Sequence, residues 1–171
     1  MKLIHRIALL ACLLLAAPAF ADLLAKPKEL ETFLLRDHAG NAVTQATLAG
    51  KPTLVFFGFT RCPDICPSAM AVLHEVKRQM PEVNLLFVSI DPADGPEQLK
   101  GYADTFGAIA ARGFDTVVLL HQLGIHRHDP KASLASHPTA VFMLDRQGRY
   151  VGFQRYPQDA KKIVAELQKV R

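Results

Sequence analysis

From residue 53 onward, apolar and polar positions divide the chain into alternating strands and helices. Thr53 to Phe59 is a nearly continuous apolar run, as a strand buried on both faces requires. Beyond it, Ala69, Leu73, Val76 and Met80 recur on one face of a helix, with Pro67 placed as its first residue and Pro81 as its stop. Asn84 to Ile90 is a second apolar strand. Leu99, Tyr102, Ala103 and Phe106 form one stripe of a helix over 96–106. Asp115 is placed to cap a short helix through Leu123, closed by Gly124.

Ala140 to Leu144 reads as a third strand, and Asp145-Arg146-Gln147-Gly148 as a tight turn into a fourth, Arg149 to Gln154. A helix over 158–170 closes the chain, apolar at Ile163, Val164 and Leu167. Its basic C-terminal end suits the helix dipole. Upstream, the apolar run Thr32 to Leu35, the turn cluster Asp37 to Asn41 and the segment Ala42 to Thr44 predict a short hairpin. The order β-α-β-α-β-β-α with an added N-terminal β-hairpin predicts an α/β three-layer sandwich. The thioredoxin-like fold is the smallest common architecture with that order.

The first 21 residues stand apart. Lys2 to Arg6 is a short basic region, Ile7 to Ala17 is apolar throughout, and Ala19-Phe20-Ala21 is a small-x-small cleavage site. The expectation is a signal peptide over 1–21 and a single domain over 22–171, exported and periplasmic after cleavage. An N-terminal membrane anchor is the second reading, although the apolar run falls short of the roughly 20 residues of a spanning helix. A lipidated Cys12 is the third.

Composition narrows the function. The 171 residues fit one domain, and half of them are apolar, which argues against disorder. Twenty Lys and Arg face 16 Asp and Glu; without Lys2 and Arg6 the balance is 18 against 16, a charge of +2. That bias is too weak for nucleic-acid binding.

Of three cysteines, only Cys62 and Cys66 follow the cleavage site. In an oxidising compartment, such a pair is a disulfide, a redox couple or a metal site. The loop it closes is too small for an efficient entropic staple, so chemistry is the stronger reading. The pair lies in Gly58-Phe59-Thr60-Arg61-Cys62-Pro63-Asp64-Ile65-Cys66-Pro67, between a core strand and a helix. Cys66 falls at the helix start, where the dipole favours a thiolate, and Arg61 is expected to tune the thiolates. The CxxxC spacing lets both sulfurs face one ion. It also allows a disulfide, since Cα atoms four apart near a helical turn are about 6 Å apart.

Two thiolates suit Cu(I) or zinc, but a structural zinc site wants four ligands and no second cysteine pair exists. Two sulfurs and an imidazole suit copper. His137 precedes the third strand, a segment that lies against the cysteine loop in a thioredoxin-like sheet. His121, His126 and His128 form a cluster that is the alternative source of a ligand, while His74 reads as a satisfied helix residue.

Phe33 to Asp37 with Gly40, Leu48-x-Gly50-Lys51-Pro52, FFGFTRCPDICP, Val88 to Pro92 (VSIDP) and a histidine eight residues before an Asp-x-x-Gly turn resemble the Sco/SenC family of copper chaperones. The resemblance runs from about Phe33 to Gln154. It implies a thioredoxin-like fold, an exported or tethered location and copper, Cu(I) or Cu(II), held by Cys62, Cys66 and His137. It also implies delivery of copper to a partner such as a cytochrome c oxidase subunit, with membrane contact only through that partner. The sequence departs from the family at Ser136-His137-Pro138, where an acidic residue usually precedes the histidine, and Gly124 to Ser136 is shorter than the usual insert.

Two further classes stay open. A thiol–disulfide oxidoreductase would use Cys62 and Cys66 as a catalytic redox pair, with a partner reductant and Pro138 as the cis-proline beside it. A thiol peroxidase is weaker, because Thr60 stands one residue too close to Cys62 for a T-x-x-C motif.

Overall fold

The computed structural model describes residues 22–125 and 138–170. Segment 1–21, and with it the signal-peptide reading, lies outside the described residues. So do His126, His128 and His137.

Strand β4 (Thr53–Gly58) is the centre of the sheet and every one of its residues is buried. It pairs in parallel with β5 (Asn84–Ser89), which pairs in parallel with β6 (Ile109–Arg112). On its other side β4 pairs antiparallel with β7 (Val141–Leu144), followed by β8 (Tyr150–Gln154). The expected hairpin, β2 (Leu35–Asp37) with β3 (Ala42–Val43), extends the sheet beyond β6. Two strands were not expected from the pattern: β6, and β1 (Asp22–Lys28), which covers β8, so the order is β1-β8-β7-β4-β5-β6-β2-β3.

The period of two in the central strands sorts the core into two layers. Leu54, Phe56, Leu85, Phe87 and Met143 face helices α2 (Ile65–Gln79), α3 (Pro96–Phe106) and α5 (Ala160–Lys169). Val55, Phe57, Leu86, Val88 and Phe142 face the hairpin, the one-turn helix α1 (Gln45–Leu48) and α4 (Thr116–Gln122). The result is the three-layer α/β sandwich that the element order predicts.

Local chemistry corrects two details. Helix α2 begins at Ile65, so Pro67 is its third residue. It is still in the first turn, where an amide has no intrahelical partner to lose. Asp115 stands at the N-cap of α4 but makes no side-chain cap. Its carboxylate instead accepts the Leu34 amide at 2.8 Å and holds the chain ahead of β2.

Candidate metal and thiol site

The cysteine loop leaves the C-terminal end of β4 and turns directly into α2. The Cys62 amide donates to Phe59 O at 3.1 Å, closing a turn through Thr60 and Arg61. The Cys62 sulfur then faces the open amides at the helix start, with Cys66 N–H donating to it at 3.4 Å. Neither cysteine is in a disulfide; Cys62 is half-buried and Cys66 buried.

Gly58 makes room for Cys66. A Cβ at that position would stand 2.8 Å from Cys66 Sγ, 3.1 Å from Phe87 Cε2 and 3.3 Å from Phe56 Cε1. The sulfur of Cys66 is therefore seated against strand backbone in an aromatic niche at 0% exposure.

The two thiols have opposite acidities. Burial pushes Cys66 up to about 12, and its hydrogen bond to Cys62 and the charges of Cys62 and Asp94 add to this. The Phe59 amide opposes the shift and is outweighed. Burial also acts to raise Cys62, but the Cys66 thiol and the amides of Cys66, Asp64 and Ile65 outweigh it and leave Cys62 below its ordinary value. The thiolate expected at Cys66 belongs on Cys62. The amides of the helix start do stabilise a thiolate, but on the residue that faces them from outside the helix. Cys66, inside it, meets hydrocarbon.

Arg61 also departs from expectation. Its guanidinium pairs with Asp91 Oδ2 at 2.5 Å, and the groups that hold Cys62 down are the Cys66 thiol and the helix amides. Asp94, which the sequence did not single out, is 0% exposed. Its carboxylate accepts the Thr60 amide at 2.8 Å, the Thr60 hydroxyl at 2.6 Å and the Ser89 hydroxyl at 2.6 Å. Tyr102 stacks on Phe87 at 4.3 Å between centroids. Burial and then the charges of Cys66, Cys62 and Asp94 raise its phenol, which stays neutral.

The histidines divide. His74 Nδ1 sits 2.9 Å from Phe106 O, a satisfied helix residue as expected. His121 lies in the last turn of α4 and lines a cavity of about 380 Å³ with Ile90, Asp91, Arg112 and Val117. The cysteines are not part of that cavity. Among the described residues, no three His, Cys, Asp or Glu side chains form a group able to hold a metal ion. The two sulfurs are placed, and His137, expected as the third donor, lies outside the described residues. Val141 pairs with Phe56, so the chain enters β7 at the same end of β4 from which the cysteine loop leaves.

The SCO1/SenC family profile matches residues 21–171. The chain belongs to the SCO1/SenC family. It is 38% identical over 145 residues to protein sco1 of Schizosaccharomyces pombe, covering 75% of this chain and 55% of that protein. The chain thus spans about half the length of that relative. Among solved structures it is similar to Bradyrhizobium japonicum ScoI with copper bound, at 30% identity and a TM-score of 0.66, covering 82% of this chain and 98% of that one. It is also similar to yeast Sco1 with copper bound, at 26% identity and a TM-score of 0.68, covering 84% and 88%. The thioredoxin-like architecture is the one these SCO1/SenC structures share with it. Among the described residues, no helix is long and apolar enough to cross a membrane.

Proposed function

We propose that this chain is an exported copper carrier. Reduced, it holds Cu(I) on Cys62 and Cys66 with His137 as third donor, and passes it to a copper-accepting protein such as a cytochrome c oxidase subunit. The observation that carries this reading is a reduced pair of thiols at one helix start, one shifted toward thiolate and the other protonated beside it. Soft thiolates select Cu(I), and the family relatives with copper bound support the same cargo. Binding must displace the Cys66 proton, so loading releases acid.

The same asymmetry supports a second reading, thiol–disulfide exchange. Cys62 thiolate attacks a partner disulfide and forms a mixed disulfide, releasing one partner thiolate. Cys66 then loses its proton and attacks Cys62 Sγ, releasing the second. The partner gains two electrons and the chain is left with a Cys62–Cys66 disulfide.

His137→Ala separates the two. Exchange needs no imidazole, whereas copper held by two sulfurs alone is open to competing thiols. The substitution should weaken copper retention by about 10–100-fold or more while leaving disulfide reduction intact. If His137→Ala retains copper like the parent and one of His121, His126 or His128 proves essential, the ligand assignment falls. If no histidine matters and only reduction survives, the oxidoreductase reading replaces the carrier. Export is tested by N-terminal sequencing of the protein recovered from its host, which should begin near Asp22; a soluble cytoplasmic chain that keeps Met1 contradicts it.

A further inference from the structure

We infer that Asp94 is the positioning residue of the cysteine loop: through Thr60 its carboxylate fixes the turn that presents Cys62 to the metal. The inference rests on the reading of Cys62 and Cys66 as the copper site. A carboxylate at 0% exposure loses its hydration and is strongly destabilising unless its oxygens are satisfied. No cationic side chain forms a salt bridge with Asp94 among the described residues. What satisfies it is three hydrogen bonds, two of them to Thr60, the residue two positions before Cys62.

The carboxylate is itself held on both sides. Ser89, the last residue of β5, grips Oδ2. Arg112, the last residue of β6, donates to Pro92 O at 2.7 Å and to Asp94 O at 2.6 Å, fixing the backbone on which Asp94 stands. Thr60 is the first inner residue of the turn closed by Cys62 N–H to Phe59 O. Pinning both its amide and its hydroxyl fixes the turn's rotation about the strand end. That rotation decides whether Cys62 Sγ lies under the Cys66 amide. Two sheet strands, β5 and β6, thus set the position of a sulfur on a loop that neither contains.

The test compares Asp94→Ala with Asp94→Asn in the full chain, beside Val76→Ala as a core control far along α2. Three quantities are read: thermal midpoint, Cu(I) affinity by competition with a chromophoric chelator, and the Cys62–Cys66 reduction potential in glutathione buffers. Asn keeps an oxygen for Thr60 N and Ser89 Oγ, and its amide can donate to Thr60 Oγ1. Asp94→Asn should therefore stay within a few-fold of the parent in affinity. Asp94→Ala should lose at least about tenfold and shift the potential, as loss of a metal site's supporting shell does. Val76→Ala should lower the midpoint and leave both other readings in place.

If Asp94→Ala keeps the parental affinity and potential, or if Asn fails as badly as Ala, the positioning role is overturned. Should Asp94→Ala not fold, Thr60→Ser and Thr60→Val carry the same test, with Ser expected to match the parent and Val to lose affinity. A parent that takes up no copper would reject the site reading instead. The potential, measured without metal, still judges Asp94 by itself.

Discussion

Gly58→Ala is the smallest perturbation that reaches the buried sulfur. The added Cβ would stand 2.8 Å from Cys66 Sγ and close to two aromatic rings, at 3.1 and 3.3 Å. Phe56 and Phe87 are core residues at 0% exposure, so neither ring has room to retreat. Relief must come from rotation of Cys66 Sγ or a shift of β4. Overpacking of this kind costs about 1–3 kcal/mol. Replacing glycine in extended backbone returns about 0.4–1 kcal/mol through the unfolded chain. The net loss centres on about 1.3 kcal/mol and reaches at most about 2.6 kcal/mol, or up to about 10 °C in thermal midpoint for a chain of this size. The rotation also breaks the thiol hydrogen bond that helps hold Cys62 low. Thermal melts of the reduced protein and iodoacetamide kinetics at neutral pH read the two effects together. The variant should melt lower and alkylate more slowly at Cys62. A variant that melts at or above the parent, with unchanged Cys62 kinetics, would refute the seating of Cys66 against Gly58.

Other outcomes follow from the same charges. In reduced parent protein, iodoacetamide with peptide mapping should label Cys62 first, with a midpoint below that of an ordinary thiol, and Cys66 only at strongly alkaline pH. Stability should depend on pH with two opposite slopes, measured by denaturant titration against a Cys62→Ser/Cys66→Ser reference. The depressed Cys62 adds stability as pH rises from its folded value toward 9.0; the raised Cys66 contributes below 9.0 and is lost as pH climbs to about 12, so the difference peaks near pH 9. A difference that rises monotonically to pH 12 contradicts the assignment of the proton to Cys66. Arg61→Ala leaves the carboxylate of Asp91, 5% exposed, without its cationic partner, so it should cost about 1–3 kcal/mol in denaturant titration and leave the Cys62 alkylation profile unchanged. A large rise in the Cys62 midpoint would restore Arg61 as its electrostatic partner.

The parts of the fold legible in the sequence are those where one physical demand dominates. The run from Thr53 must be buried on both faces and is through Gly58, while Phe59 leaves the strand half-buried. The stripe Ala69, Leu73, Val76 packs as drawn. Strand β6 escaped because Ile-Ala-Ala-Arg is short and its two buried residues are alanines, which carry no strand preference. Strand β1 escaped because an edge strand with one paired side and mostly exposed residues shows no alternation, and it contains Lys26, Pro27 and Lys28. At the site, the cysteine spacing was enough to find both sulfurs. Their order of acidity was not legible, since desolvation of Cys66 depends on Gly58, Phe56 and Phe87 meeting in space. Asp94 was equally silent: an acidic residue in a loop is usually solvated, and only the fold shows this one buried against Thr60 and Ser89.

Copper retention by this chain rests on its two thiols. Its most direct measurement is anaerobic Cu(I) titration, against a chromophoric competitor, of the mature protein in its dithiol form and in its Cys62–Cys66 disulfide form. The reduced chain should hold one Cu(I) tightly, with proton release on loading, and the disulfide form, having lost both anionic ligands, should bind none tightly. Equal uptake by the two forms would contradict it.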